Sequence, residues 1–148
     1  MQTSTKGIEF IVKEEGFRLS SYLCAAGIWT IGIGHTGNVK SGMKITKEYA
    51  YELLIHDLKR FENVVNENTK AQLKQHEFDA LVSLTFNIGC NAFKNSTLLK
   101  KINTKADSEE IEQQFLRWKY GGGKILPGLL ARRKREFKMF VEGDYGIR

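Results

Sequence analysis

One run of residues, Gly27-Ile28-Trp29-Thr30-Ile31-Gly32-Ile33-Gly34-His35-Thr36, limits what this chain can become more than any other feature. β-branched side chains lose rotamer freedom in a helix and glycine loses backbone freedom, so this run is a poor helix interior. Upstream of it the texture from Phe17 onward is rich in Ser and Leu, and Ala25-Ala26-Gly27 separates two extended-looking stretches. That order predicts a hairpin over about 17–34, with a loop longer than the tightest turn types.

The rest of the chain carries helical period. Ile8, Ile11 and Val12 form an i, i+3, i+4 stripe with Ser4 as a candidate cap and Gly16 as a stop, predicting a helix over about 5–15. After Thr46, the residues Ala50, Leu53, Leu54, Leu58, Phe61 and Val65 line one face, with Lys, Glu and Asp on the other. A polar stretch over about 67–75 reads as a junction. Beyond it, Phe78, Leu81, Val82 and Ile88 mark a helix ending at Gly89, and Ser96 caps a short helix with Leu98, Leu99 and Ile102. Asp107 followed by Glu110 resembles a capping box for a helix with Ile111, Phe115 and Trp118. Gly121-Gly122-Gly123 ends that helix, Pro127 breaks the chain again, and a last helix covers about 129–142. The expected fold class is α+β, one domain over 1–148: a small lobe, 1–60, with the β-hairpin patch, and a larger mainly helical lobe, 61–148.

Composition excludes several classes. A chain of 148 residues, 41% hydrophobic and 27% charged, with 14 Gly and one Pro, is neither disordered nor collagen-like. No apolar run approaches the roughly 18 residues of a membrane span, so stable membrane insertion is not expected. Ile8–Val12 is short and broken by Glu9, unlike the apolar core of a signal peptide, so the chain is expected to begin in the cytoplasm. The charge of +6 attracts polyanions of every kind without choosing between them. Cys24 and Cys90 are too few for a disulfide framework and match no zinc spacing.

Glu15 stands at the end of the first helix, before Gly16 and beside Glu14. The negative end of the helix macrodipole and the neighbouring carboxylate both favour the neutral carboxyl that a general acid uses. On that feature alone a solvated surface glutamate is the plainer reading. The wider pattern decides: eight residues separate Glu15 from Cys24, and five separate Cys24 from Thr30. With Phe86-Asn87-Ile88-Gly89, Ala92-Phe93, Ser96-Thr97-Leu98-Leu99, Trp118 and the ending Gly122-Gly123-Lys124-Ile125-Leu126-Pro127-Gly128-Leu129 with Arg132, Arg133, Arg135 and Glu136, nearly the whole chain resembles the phage-type lysozymes, the muramidase endolysins of glycoside hydrolase family 24.

That resemblance implies hydrolysis of the β-1,4 bond between N-acetylmuramic acid and N-acetylglucosamine in peptidoglycan, with the glycan in a cleft between the lobes. Glu15 would be the general acid, and Cys24 and Thr30 would place the water, an arrangement that leaves room for direct attack by water. His35, by the same resemblance, anchors the hairpin beside the substrate, while Phe86, Asn87 and Ser96 line the saccharide site. No metal or cofactor is implied. The expected setting is a monomeric phage or prophage endolysin that accumulates in the host cytoplasm. It would reach the wall through a holin-type pore and act from the periplasmic side, with no nucleic-acid partner.

Cys24 departs from the commoner pattern with Asp at that position. A free thiol is mostly neutral at pH 7, and a neighbouring ionised Glu is expected to make it more so. Cys24 can therefore act as an ionised base or nucleophile, merely seat the water, or be silent. Two rivals follow: a lytic transglycosylase, and a peptidoglycan-binding lysozyme fold of weak or no activity. A Cys24–His35 nucleophilic pair has no evident third member. Arg132-Arg133-Lys134-Arg135 reads as a solvated charge run on a helix, and the apolar stripe of that helix as packing rather than lipid contact.

Overall fold

The computed structural model describes residues 1–147. The chain forms two compact units, one of Ile11–Lys59 and one of Met1–Phe10 with Arg60–Arg148. In chain order the elements are α1 (Thr5–Glu15), β1 (Arg18–Leu23), β2 (Trp29–Gly32), α2 (Lys47–Asn68), α3 (Gln75–Ile88), α4 (Cys90–Lys94), α5 (Thr97–Asn103), α6 (Ser108–Leu116), β3 (Tyr120–Gly121), β4 (Lys124–Ile125) and α7 (Pro127–Glu142). The α+β class and the hairpin are as the sequence predicts.

In the smaller unit β1 and β2 are antiparallel, pairing Tyr22 with Thr30 and Leu23 with Trp29, and the register shifts before Arg18 meets Gly32. The segment after the hairpin lies along β1, where Ser21 N donates to Met43 O and Ile45 N to Leu19 O, each at 2.8 Å. Ile11, Ile31, Ile33, Ala50, Leu54 and Leu58 are buried. Gly32 has φ +66°, and a Cβ there would lie 3.3 Å from Ile45 and 3.4 Å from Ala50. Both the conformation and the close approach of β2 to α2 call for glycine.

In the larger unit α3 packs along α7, and α6 packs on the same helix. The core holds Phe78, Leu81, Leu84, Phe93, Phe115 and Met139, all fully buried. Phe115 sits edge-on to Phe137 at 5.9 Å between ring centres and tilted to Phe140 at 5.6 Å. Burying each such side chain contributes about 2 kcal/mol, before the entropy of ordering the chain is counted. Three expected caps are present. Ser4 Oγ accepts from Gly7 N at 3.1 Å, Ser96 Oγ from Leu99 N at 3.1 Å, and Asp107 Oδ1 from Glu110 N at 2.9 Å.

Several details differ from the sequence reading, among them that α6 stops at Leu116 and leaves Trp118 outside it. Pro127 does not stand outside the last helix but opens it, where its missing N–H costs nothing and its fixed φ suits the first turn. The glycine run forms the turn of a two-residue hairpin, with Tyr120 paired to Ile125. Asp57 lies not on the solvated face of α2 but 90% buried. Arg132 and Arg133 are not solvated either, being 6% and 0% exposed. Glu136, fully buried, forms an ion pair with Arg133, whose Nε lies 2.7 Å from its Oε1. Its Oε2 accepts from Arg132 Nε at 3.2 Å and from Ser83 Oγ at 2.6 Å. Each buried charge is thus offset by another and by hydrogen bonds, the condition on which such groups are tolerated.

The first residues are fastened by side chains of α2 and α3. Thr3 N and Oγ donate to Glu62 Oε2 at 2.7 and 2.6 Å. Asp79, fully buried, accepts from Ser4 N at 3.1 Å, Gln75 Nε2 at 2.9 Å and Tyr145 OH at 2.6 Å, and also from Ser4 Oγ.

Candidate functional site

Glu15 is the last residue of α1, half-buried, and Gly16 closes the helix with φ +65° and its N–H on Val12 O at 2.8 Å. The chain then turns directly into β1. The same unit carries Cys24, Thr30 and His35.

Cys24 sits where β1 gives way to the hairpin loop. Its N–H donates to Ile28 O at 3.0 Å, and its carbonyl accepts from Gly27 N at 2.8 Å. The turn brings backbone N–H groups to the sulfur. The Ile28 N–H, then that of Ala26, pull the thiol below its ordinary range. Desolvation opposes them, and the Thr30 hydroxyl adds to the lowering. No carboxylate is among the groups that shift Cys24, so the rise expected from sequence is not seen and the shift runs downward. Hydrogen bonds to the charged form are the cause.

Thr30 is 3% exposed, and its hydroxyl donates to Ile28 O at 2.9 Å. The structure therefore gathers Cys24 and Thr30 around one turn. His35 is committed elsewhere: its Nδ1 lies 2.7 Å from Asp57 Oδ2 and its Nε2 2.9 Å from Gly37 O. Its backbone exchanges hydrogen bonds with Ile31 at 2.9 and 3.0 Å. The ring thus ties the residues after β2 to α2, an anchoring geometry. Asp57 was legible in part, since it falls three residues after Leu54 and four before Phe61, inside the apolar stripe of α2.

On the larger unit, Phe86 is half-buried and meets Phe61 edge-on at 5.1 Å, while Asn87 is exposed at the end of α3. Ser96 is 6% exposed and donates to Phe93 O at 2.6 Å while capping α5. Its side chain also borders a cavity of about 480 Å³ lined by Asn91, Asn95, Ser96, Gln114, Arg117 and Trp118. An indole face beside amides and a guanidinium offers both an apolar platform and directional hydrogen bonds. Sequence reading singled out Trp118 and Ser96 there. It missed the amides, whose side-chain directions need the packed helices. Both cysteines are free. Among the described residues no group of three or more His, Cys, Asp or Glu side chains is placed to hold a metal ion.

Comparison with known proteins places this geometry among relatives. The sequence profile described as Phage lysozyme matches residues 12–136. The endolysin of Salmonella phage P22 is 44% identical over 146 residues, covering 95% of this chain and 99% of its own. The endolysin of Acyrthosiphon pisum secondary endosymbiont phage 1 is 42% identical over 144 residues, covering 95% of this chain and 98% of its own. Among solved structures, the endolysin from Escherichia coli O157:H7 phage FAHEc1 superposes with a TM-score of 0.91 at 38% identity. That match covers 98% of this chain and 96% of the other.

Proposed function

Because the chain belongs to the phage lysozyme family, and so is a glycosidase of muramidase type, we propose that it cleaves the β-1,4 bond between N-acetylmuramic acid and N-acetylglucosamine in host peptidoglycan. Glu15 donates a proton to the leaving glycosidic oxygen. Cys24, as thiolate, accepts a proton from the attacking water, and Thr30 holds the turn in which that thiolate is formed. The observation that carries the reading is the turn at Ile28, whose carbonyl accepts from both the Cys24 N–H at 3.0 Å and the Thr30 hydroxyl at 2.9 Å and so brings the two residues together; the downward shift of the thiol agrees with it. An anion there supports a cationic, oxocarbenium-like transition state as well as the water. His35 keeps the hairpin in place through Asp57. On the larger unit, Phe86, Asn87 and Ser96 are the proposed contacts to the glycan.

The biological reading is host lysis for phage release, with the endolysin relatives as its support. The enzyme is proposed to leave the host cytoplasm through a holin-type pore and to act as a monomer on the wall. The test is digestion of purified Gram-negative sacculi. Wild type should solubilise them, and Glu15→Gln should be slower by at least about 10²-fold, the contribution of a positioned general acid. Unchanged activity in Glu15→Gln would refute the mechanism.

A further inference from the structure

The β3–β4 hairpin takes no part in the chemistry above, and its surface differs from the rest of the larger unit. Tyr120 and Ile125 pair across the ladder, yet stand 56% and 51% exposed, with the adjoining Leu126 at 42%. Large apolar side chains exposed singly are ordinary, but Tyr120 and Ile125, directly opposite each other on one face of the ladder, make a pair exposed together. The tip is well fixed. Gly122 and Gly123 supply the turn with φ +59° and +79°. Leu126 N closes the base onto Lys119 O at 2.8 Å, and a Cβ on Gly121 would collide with Leu126.

The charge around this tip has one sign. From Gln113 to Gly128 the sequence carries Arg117, Lys119 and Lys124 and no acidic residue. Arg117, Lys119 and Tyr120 border a groove of about 580 Å³ at the foot of the hairpin, with Gln113 and Leu116. Lys119 Nζ lies 5.7 Å from the centre of the Tyr120 ring. Cations flank an aromatic ring with a polar end and an exposed aliphatic side chain paired beside it, the combination of groups that suits a bilayer interface, where phosphates and acyl chains lie close together. A neutral sugar would make little use of Ile125, or of Lys119 and Lys124 with no acid between them.

We propose that the β3–β4 hairpin is a peripheral docking site for an anionic phospholipid surface. Lys119 and Lys124 meet the phosphates, Tyr120 sits at headgroup level, and Ile125 beside it reaches the acyl boundary. The contact lies on the membrane rather than across it. No described helix is long and apolar enough to span a bilayer. The last helix is not the lipid contact, because Phe140 and Met139 of its apolar stripe are buried.

Flotation with vesicles of phosphatidylglycerol and phosphatidylethanolamine, against pure phosphatidylcholine, tests the site. Wild type should float with the anionic vesicles only, and less as salt rises. Lys119→Gln with Lys124→Gln should bind about 25-fold more weakly, at about fivefold per cation. Tyr120→Ser with Ile125→Ser should lose at least about tenfold. Both variants should keep the wild-type melting curve and digest lipid-free sacculi at the wild-type rate. Absence of binding to anionic vesicles, equal binding to phosphatidylcholine, or variants that float like wild type would overturn the proposal. Sacculus digestion that falls while the melting curve holds would also overturn it, and would assign the hairpin to the glycan.

Discussion

At Cys24 the local turn reverses what the residue type alone implies. A thiol is a weak candidate for an anionic role at neutral pH, yet the N–H groups of Ile28 and Ala26 hold it below its ordinary value. A general base works in its deprotonated form, so lysis should rise with pH through the titration of Cys24. Lowering that titration extends activity toward acid. Cys24→Asp should move the rising limb of the pH–rate profile to still lower pH, because a carboxylate ionises at about 4. Cys24→Ser cannot ionise and should lose about 10²–10⁴ in rate. A Ser variant as active as wild type would remove the charged role. The place of this residue was legible from its spacing to Glu15 and Thr30. Its electrostatics were not, since the donors are backbone groups and carry no signature in sequence. A second titration belongs to Tyr145, which burial and the hydrogen bond to Asp79 push up to about 12. Its folded value lies above that of the unfolded chain, so its contribution is complete below about pH 10. It is lost as pH rises from there toward 12. Tyr145→Phe should therefore show a shallower fall in melting temperature over that interval than wild type.

At the scale of elements, the hairpin and the longer helices were readable because each is written in period and punctuation. Ile8, Ile11 and Val12 set the period of α1, and Gly16 ends it. Elements shorter than one period were not readable. The five residues of α4 and the two-residue strands β3 and β4 leave no room for a pattern to repeat. Pro127 marks a boundary in either reading, and only the backbone around it tells the end of one element from the start of the next. Gly32 offers a test of how the hairpin is seated. Gly32→Ala brings a Cβ to 3.3 Å from Ile45 in a left-handed conformation, and should cost about 1–3 kcal/mol. The measurement is the denaturant midpoint. An unchanged midpoint would mean that β2 does not depend on that close approach to α2.

Across the whole molecule, what sequence could not convey are closures between distant residues. Met1 meets Asn66, Thr3 meets Glu62 and Ser4 meets Asp79, separations of 65, 59 and 75 residues. The basic run 132–135 misled for a related reason. Its helix turns two of the four side chains inward to Glu136 and Ser83, a partner 49 residues upstream of Arg132. Removing the shared acceptor should expose this: Glu136→Ala leaves buried arginine charge uncompensated and should lower stability by about 3–5 kcal/mol, read from urea unfolding. The chain ends that the enzyme leaves behind distinguish hydrolysis from transglycosylation. Mass spectrometry of fragments released from purified sacculi, with Glu15→Gln alongside, should find reducing N-acetylmuramic acid ends from wild type and almost none from the variant. Anhydro-muramic ends, or no soluble fragments from a folded protein that binds the wall, would contradict hydrolysis by this site.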